Sequence, residues 1–272
     1  MAIAGRLLLV GCGKMGGALL RGWLDRGVKP SDVTVIEPNA GPLEDLRARG
    51  VSILADASGI SANFDPAVVL LAVKPQMMDG ALPPYRRLVR RGTVFLSIAA
   101  GKTMAYFRRM LGDAAVIVRA MPNTPAAVGR GITVACAGTG VTTAQRELCH
   151  ALLEAVGEVA WVEDEALIDP VTALSGGGPA YVFLLIECLA EAGVAAGLPA
   201  DLAMRLARAT VSGAGELARL SPEPASVLRQ NVTSPAGTTF EALKILMAAD
   251  GLQPMMTKAI AAATKRSREL AG

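Results

Sequence analysis

The sequence predicts an α/β domain with a doubly wound, mainly parallel sheet, followed by an all-α domain. Short apolar runs rich in β-branched residues alternate with helical segments over the first part of the chain. This alternation is typical of a parallel sheet covered by helices on both faces. Beyond about residue 163 no such run remains, and long Ala- and Leu-rich stretches follow. We therefore expect an α/β domain over residues 1–162 and a helical domain over residues 163–272.

Each element is predicted from hydrophobic periodicity and the turn residues beside it. The predicted strands are 6–10, 33–36, 67–73, 93–98, 115–118, 131–136 and 158–162. The predicted helices between them are 15–26, 43–49, helical sequence up to residue 91, 104–111 and 143–156. The second domain is expected to hold helices at 179–196, 200–220 and 240–270, with a break near residue 250.

Composition excludes several classes of protein. The 272 residues are 52% hydrophobic with a net charge of +3, which rules out a disordered chain. Only 4% are aromatic, so we expect no nucleic-acid surface built on base stacking. The longest apolar stretch, Ala180 to Leu198, carries Glu187 and Glu191 at helical spacing. It is predicted to be a buried helix with a polar edge and not a membrane span.

The cysteines and histidine bear on metal binding and compartment. Cys12, Cys136, Cys149 and Cys188 form no CxxC pair, and His150 is the single histidine, so we expect no metal site. The first residues lack the charged and apolar regions of a signal peptide. Scattered thiols fit a reducing compartment, and we expect a cytoplasmic protein.

A glycine-rich motif joins the first predicted strand to the first helix: Gly11, Cys12, Gly13, Lys14, Met15 and Gly16. This is the GxGxxG signature in the place it occupies in Rossmann domains. The first glycine allows a tight turn, the second lets the backbone approach a pyrophosphate, and the third lets the helix pack close to the strand. Free N–H groups at the helix N-terminus attract the phosphates. We predict that these residues bind NAD(P)H.

An acid at the end of the second strand bears on the choice of cofactor. Glu37 stands where a carboxylate usually binds the ribose hydroxyls and repels a 2′-phosphate. It favours NADH over NADPH. The alternative is a solvent-facing glutamate before a Pro38-Asn39 turn.

Three later predicted strands, 67–73, 93–98 and 115–118, are also followed by loops that could contact a ligand. In a doubly wound sheet the ligand lies outside the carboxyl ends of the strands. Small residues at 99–101 would let a flat nicotinamide approach the backbone, and Lys74 and Asn123 supply polar groups; a structural role for Lys74 is the alternative. The predicted cofactor contacts here are Ala72, Val73, Lys74, Pro75, Ala99, Ala100, Gly101 and Asn123.

Two glycine-containing segments, 174–181 and 232–239, interrupt the helical half, and each opens a predicted helix. Each could present backbone N–H groups to a small carboxylate. Alternatively both are helix caps, because Ser and Thr cap helices and Pro179 suits a first helical position.

The motifs together resemble one family. They are GCGKMG (11–16), LAVKPQ (71–76), MPNTP (121–125), DPVTALSGGGPAYVF (169–183) and LRQNVTSPAGTTFEAL (228–243). With these motifs the chain resembles the pyrroline-5-carboxylate reductases from end to end. Two positions depart from the family's usual SGSGPAY and SPGGTT: Gly177 removes a serine side chain, and Ala236 should be tolerated only if its φ is negative.

The resemblance implies a Rossmann domain followed by a helical dimerisation domain that interlocks with a partner subunit. It therefore implies a homo-oligomer built from dimers. It also implies an active site between the cofactor domain and the helices of the dimer. It implies reduction of 1-pyrroline-5-carboxylate to L-proline by hydride transfer from NAD(P)H, the last step of proline biosynthesis. Thr239 is expected near the ring nitrogen as the candidate catalytic residue. The implied substrate contacts are Ser175, Gly176, Gly177, Gly178, Ser234, Pro235, Ala236, Gly237, Thr238 and Thr239.

Two alternatives stay open. One is another NAD(P)-dependent imine or β-hydroxyacid reductase of the same architecture. A hydroxyacid enzyme normally needs a lysine on the first long C-terminal helix, and residues 179–196 contain none. The other is a non-catalytic nucleotide-sensing protein. A protonated cyclic imine needs little acid–base machinery, which agrees with the expected surface position of His150.

Overall fold

The computed structural model describes residues 5–39 and 41–271, apart from the side chain of Pro42. The predicted class, an α/β part followed by a helical part, is confirmed. The strands are β1 (Arg6–Val10), β2 (Val33–Ile36), β3 (Ser52–Leu54), β4 (Pro66–Leu71), β5 (Val94–Ser97), β6 (Val116–Met121), β7 (Gly131–Ala137) and β8 (Gly157–Val162).

Helices connect these strands and then fill the C-terminal part of the chain. They are α1 (Lys14–Asp25), α2 (Glu44–Ala48), α3 (Met78–Ala81), α4 (Met104–Leu111), α5 (Thr143–Glu154), α6 (Ile168–Val171), α7 (Gly178–Ala195), α8 (Ala200–Leu220), α9 (Ala225–Asn231), α10 (Thr238–Leu246) and α11 (Leu252–Ala271).

The sheet is doubly wound. Its strand order is β3-β2-β1-β4-β5-β6-β7-β8, and neighbours are parallel except for β6 and β7. The order reverses between β1 and β4, which pair with Val10 opposite Leu71. The crevice at the carboxyl ends of these two strands is therefore the topological switch point, where such sheets bind ligands.

A hydrophobic layer covers each face of the sheet. Successive β1 residues enter opposite layers, Leu9 with Trp23 of α1 and Leu8 with Phe107 of α4. All four side chains are at most 1% exposed. Burial of each such side chain contributes about 1.5–3 kcal/mol, so the layers fix the strand ends that form the switch point.

A buried ion cluster joins four elements beside this sheet. Arg119 of β6 is 1% exposed; its Nη1 donates to Glu165 Oε1 at 3.0 Å, and its Nη2 lies 4.0 Å from Asp169 Oδ1 in α6. Glu165 also accepts the N–H of Met104 at the start of α4, at 2.8 Å. Asp169 accepts the hydroxyl of Ser267 in α11 at 2.7 Å. The cluster therefore holds β6, α4, α6 and the end of α11 together.

The helical part buries little of its own surface. Helices α7 and α8 pack through small residues, and a Cβ on Gly193 would lie 3.2 Å from Ala203 Cβ. Many large apolar side chains of this part remain exposed within the single chain. They include Val182, Phe183, Leu184, Leu185, Leu189, Val194, Leu206, Leu217, Leu220, Ile245 and Met247.

The chain divides into two compact units. The sheet unit comprises the residues up to Gly176 together with those from Ala263 onward, and the helical unit comprises Gly177–Ala262. Helix α6 and the last turns of α11 therefore pack within the sheet unit. The domain boundary predicted between residues 162 and 163 stays a prediction, and its outer limits, residues 1 and 272, lie outside the described residues.

One described stretch, Glu165–Ala195, is long and apolar enough to cross a bilayer by length and composition alone. Only 11% of its apolar window is buried within the single chain, so the prediction of a buried helix was wrong for this chain by itself. One such stretch is weak evidence for a membrane.

Four short elements differ from the sequence prediction. Strand β3 and helices α6 and α9 were not predicted, and Thr172–Gly176 forms a π-helical turn directly before α7. Each is shorter than the window over which periodicity is readable. Such π turns are frequent at functional sites.

Candidate active site

A pocket of about 520 Å³ lies at the switch point, lined by the loops that follow β1, β2, β3 and β4. Its size is within the range of small-molecule and cofactor sites. The predicted cofactor residues that line it are Gly11, Gly13, Glu37, Ala72, Val73 and Lys74.

The glycine-rich loop is built for close approach. Gly11 has a φ of +88°, and a Cβ there would lie 2.8 Å from Val73 Cγ1. A Cβ on Gly13 would meet nothing within 4 Å, whereas one on Gly16 would collide with the Gly11 carbonyl oxygen. The loop therefore needs glycine at Gly11 for the turn and at Gly16 for packing, and Gly13 leaves room for a ligand.

Helix α1 presents its N-terminus to this loop. Gly13 is the N-cap residue, no side chain caps the helix, and its first turn holds no acid. The first N–H groups and the positive end of the helix dipole suit an anion. These features fit the pyrophosphate of a dinucleotide.

Glu37 links two loops of the pocket. Its Oε2 accepts the N–H of Cys12 at 2.8 Å, and its Oε1 accepts the N–H of Asn39 at 3.1 Å. Each carboxylate oxygen can accept a further hydrogen bond, so ribose hydroxyls can still bind there. Burial, and secondarily the charge of Glu37, raises the pKa of Cys12 to about 11. Cys12 is therefore a neutral thiol inside the loop.

Asp56 is a second acid of the pocket, and the sequence reasoning missed it. It follows β3, and its Oδ1 accepts the hydroxyl and, at 2.7 Å, the N–H of Ser58. These bonds lower the pKa of the Asp56 carboxyl, which is therefore ionised at neutral pH. Recognising β3 as a strand would have marked its end as a ligand-binding position.

Lys74 is the one cation among the described residues that line the pocket. Its neighbour Pro75 begins a short 3-10 turn, Pro75–Met77, that leads into α3. Tyr85 also lines the pocket. Burial raises the pKa of Tyr85 to about 12, so its phenol stays neutral.

The loop after β5 is packed from one side by α11. Ala99 is 3% exposed, and its N–H donates to Ser97 Oγ at 3.3 Å. Gly101 has a φ of +68°, and a Cβ there would lie 3.0 Å from Leu270 Cβ. Glycine is thus needed here for contact with α11. Contacts of Ala99, Ala100 and Gly101 with a nicotinamide stay a prediction.

A polar cluster fixes this same loop to α3. Tyr106 donates its hydroxyl to Asp79. Lys102 Nζ lies 3.3 Å from Asp79 Oδ1 and 4.2 Å from the centre of the Tyr106 ring. Burial and the neighbouring Asp79 raise the pKa of Tyr106, so it stays a hydrogen-bond donor.

Asn123 connects the end of β6 to the π-helical turn. Its Oδ1 accepts the N–H of Ile132 at 2.9 Å, and its Nδ2 lies 3.5 Å from Ser175 Oγ. The structure therefore brings together one predicted cofactor residue and one predicted substrate residue. Gly176 ends the turn, Gly177 is the N-cap of α7, and Gly178 is the first residue of that helix.

The second predicted substrate segment is a tight turn before α10. The N–H of Gly237 donates to the Ser234 carbonyl at 3.1 Å, closing a four-residue β-turn. Ala236 has a φ of +56°, so the negative φ expected for a tolerated alanine is absent. Gly237 is the N-cap of α10, without a side-chain cap. Thr238 and Thr239 form the first turn of that helix.

The remaining predicted residues lie near the pocket without lining it. Cys12, Lys14, Met15 and Gly16 belong to the glycine-rich loop and α1, and Pro75 follows Lys74. His150 lies elsewhere on the sheet unit, where its Nδ1 accepts Trp161 Nε1 at 3.2 Å. Among the described residues no group of three or more His, Cys, Asp or Glu has the arrangement of a metal site.

Comparison with known proteins gives consistent matches. The family model described as NADP oxidoreductase, coenzyme F420-dependent, matches residues 6–101. The model described as pyrroline-5-carboxylate reductase dimerisation matches residues 165–270. A pyrroline-5-carboxylate reductase of Pseudomonas aeruginosa is 38% identical over 266 residues, which cover 98% of this chain and 97% of the relative.

Solved structures agree over the whole chain. A pyrroline-5-carboxylate reductase from Coxiella burnetii has a TM-score of 0.92 and 34% identity, covering 99% of this chain and all of its own. The Plasmodium falciparum pyrroline carboxylate reductase, solved with NADP bound, has a TM-score of 0.82 and 27% identity, covering 98% of each chain.

The strand order, the glycine-rich loop and the pocket at the switch point define a dinucleotide-dependent oxidoreductase. Within that class the chain belongs to the pyrroline-5-carboxylate reductase family. The family, fold class and enzyme class predicted from the sequence are confirmed.

Proposed function

We propose that this protein reduces 1-pyrroline-5-carboxylate to L-proline. The observation that carries the proposal is the pocket at the switch point, in a chain that aligns over its full length with reductases of that substrate. When bound, NAD(P)H supplies the hydride for the C=N carbon. Residues 11–16 and the start of α1 would hold its pyrophosphate, and Glu37 its adenosine ribose.

The substrate site that we propose consists of backbone groups. Ser175 to Gly178 and Ser234 to Thr239 would receive the carboxylate through N–H groups at the starts of α7 and α10. Helix N-termini favour anions through their free donors and dipole. A protonated cyclic imine is already a good hydride acceptor, so the protein's main tasks are to orient the ring and exclude water.

Thr239 is the proposed catalytic residue, because its hydroxyl would orient the ring nitrogen from the first turn of α10. Thr239→Val removes the hydroxyl with little change of shape. We expect kcat to fall about 10²-fold, in the range found when one positioned donor is removed, with the KM for NADH nearly unchanged. Thr239→Ser should restore most of the activity. Wild-type turnover in Thr239→Val would assign Thr239 to helix capping alone.

Cofactor preference is proposed to favour NADH. Glu37 and Asp56 place two negative charges on the pocket and Lys74 one positive charge, an arrangement that repels a 2′-phosphate. Steady-state kinetics should give a higher kcat/KM with NADH than with NADPH. Glu37→Gln and Asp56→Asn should each reduce the ratio of kcat/KM with NADH to kcat/KM with NADPH. A clear NADPH preference in the wild type would contradict this part of the proposal.

We further propose a homo-oligomer built from interlocked dimers, working in the cytoplasm. The exposed apolar residues of the helical unit support the assembly, because monomeric proteins rarely expose large contiguous apolar patches. The four cysteines are free thiols, which fits a reducing compartment.

The deciding experiment is an assay of NADH and NADPH oxidation with 1-pyrroline-5-carboxylate. We expect turnover with formation of L-proline. Absence of turnover with this imine, together with turnover of a β-hydroxyacid, would replace the proposal by the hydroxyacid alternative.

A further inference from the structure

The turn before α10 contains a backbone conformation that its residue does not favour. Ser234, Pro235, Ala236 and Gly237 form a β-turn closed by the Gly237 N–H to Ser234 carbonyl bond of 3.1 Å. The proline ring holds φ of the second turn residue near −65°, and the third residue, Ala236, has a φ of +56°. A negative φ followed by a positive φ defines a type II turn.

Alanine is unfavourable at the third position of such a turn. Type II turns usually carry glycine or asparagine there, because a Cβ in the left-handed region approaches its neighbouring carbonyl oxygen. Among the described residues Ala236 is the one non-glycine with positive φ. Its side chain is exposed within the chain, so burial of the methyl group does not offset the strain.

The strain bears on which way a peptide group faces. Type I and type II turns differ mainly by a flip of the central peptide, here the one joining Pro235 to Ala236. The flip moves the Ala236 N–H from one side of the turn to the other. The left-handed penalty for alanine shifts the balance toward the flipped form by about fivefold or more relative to glycine.

We infer that Ala236 is a positioning residue that weakens binding of the substrate carboxylate by lowering the population of the type II turn. This inference rests on the proposed function, in which backbone N–H groups of this loop hold that carboxylate. A site that is competent only in part of the population binds with an apparent affinity reduced by that fraction. The cofactor pocket is formed by other loops and is not part of this effect.

The test is a substitution series at residue 236 in the full-length protein. The order of tolerance for positive φ is Gly, then Asn, then Ala, then a β-branched residue. We expect the KM for 1-pyrroline-5-carboxylate to rise in the order Ala236→Gly, Ala236→Asn, wild type, Ala236→Val. Ala236→Gly should lower it by up to about twofold, the limit for a turn that is type II in half or more of the wild-type population, while kcat and the KM for NADH stay unchanged.

A matched exchange controls for the loss of a methyl group. Ala225 begins α9 with helical geometry and is exposed in the same unit, so Ala225→Gly should leave the KM for the imine unchanged. Equal substrate KM values for wild type and Ala236→Gly, with turnover present, would overturn the inference alone. Absence of wild-type turnover with the imine would overturn the proposed function and the inference with it.

Discussion

The sheet unit and the helical unit differ in the size of the apolar side chains that each buries. In the sheet unit, large side chains such as Leu8 and Phe95 are completely buried. In the helical unit, the buried apolar residues are the small side chains Ala190, Ala203 and Ala207, and leucines such as Leu184 and Leu185 are exposed. A unit that leaves its large apolar side chains exposed needs a second surface to cover them. The sheet unit therefore encloses a hydrophobic core within the single chain, and the helical unit does not.

The ion pairs of the two units also differ in burial. The sheet unit contains the buried Arg119 cluster, whose members lie in β6, α6 and α11 and in the turn before α6. The helical unit contains surface ion pairs one helical turn apart, such as Arg219 with Glu216 and Lys244 with Glu241. Removing one partner of a buried ion pair is strongly destabilising, whereas exposed pairs contribute little.

The largest expected effect follows from placing a charged residue on the exposed apolar face of α7. Leu185→Glu places a charge where we expect a partner subunit, and a two-fold interface would bury it twice. We expect the dimer dissociation constant to rise at least about 10⁴-fold, since two buried unpaired charges together cost about 6 kcal/mol or more. Analytical ultracentrifugation measures it.

The matched control is Val128→Glu in the sheet unit, where the side chain is 76% exposed. This variant should assemble like the wild type. If Leu185→Glu keeps the wild-type assembly, α7 is not at the subunit interface.

The next effect concerns the buried charge of the sheet unit. Arg119→Met leaves Glu165 and Asp169 without their cation and should lower the free energy of unfolding by about 3–5 kcal/mol. Urea denaturation monitored by circular dichroism measures it. Arg146→Met removes a surface ion pair with Glu163, at 3.2 Å, and should change stability by less than about 1 kcal/mol. Equal losses in the two variants would contradict the assigned role of the cluster.

The smallest effect tests how α11 is divided between the units. Ser267→Ala removes the buried 2.7 Å hydrogen bond to Asp169 and should cost about 1–2 kcal/mol of unfolding free energy. Thr257→Val, earlier in the same helix, removes an exposed bond to Gln253 and should cost much less. A larger loss for Thr257→Val would show that α11 is held mainly in the helical unit.

The same contrast explains what the sequence could predict. Strands β1, β2 and β4 were predictable because both faces of each are buried, which makes their residues continuously apolar. Strand β3 was missed because it is three residues long and lies at the sheet edge. Asp56 was missed with it, since its place in the pocket depends on where β3 ends.

Other features depend on tertiary structure that periodicity does not encode. Position 101 needs glycine because it is in close contact with Leu270. These two residues lie far apart in the chain, so the sequence does not show the contact. The segment Thr172–Gly176 forms a π-helical turn, but the glycines at and after its end make it look like a loop in the sequence. The positive φ of Ala236 could not be read from an alanine, because the residue itself disfavours that conformation.

The most direct test of the central claim follows a labelled hydride. NADH carrying deuterium at both C4 positions is incubated with the protein and 1-pyrroline-5-carboxylate, and the product is analysed by mass spectrometry and NMR. We predict L-proline with one deuterium, located at C5. Unlabelled proline, or consumption of NADH without formation of proline, would contradict it.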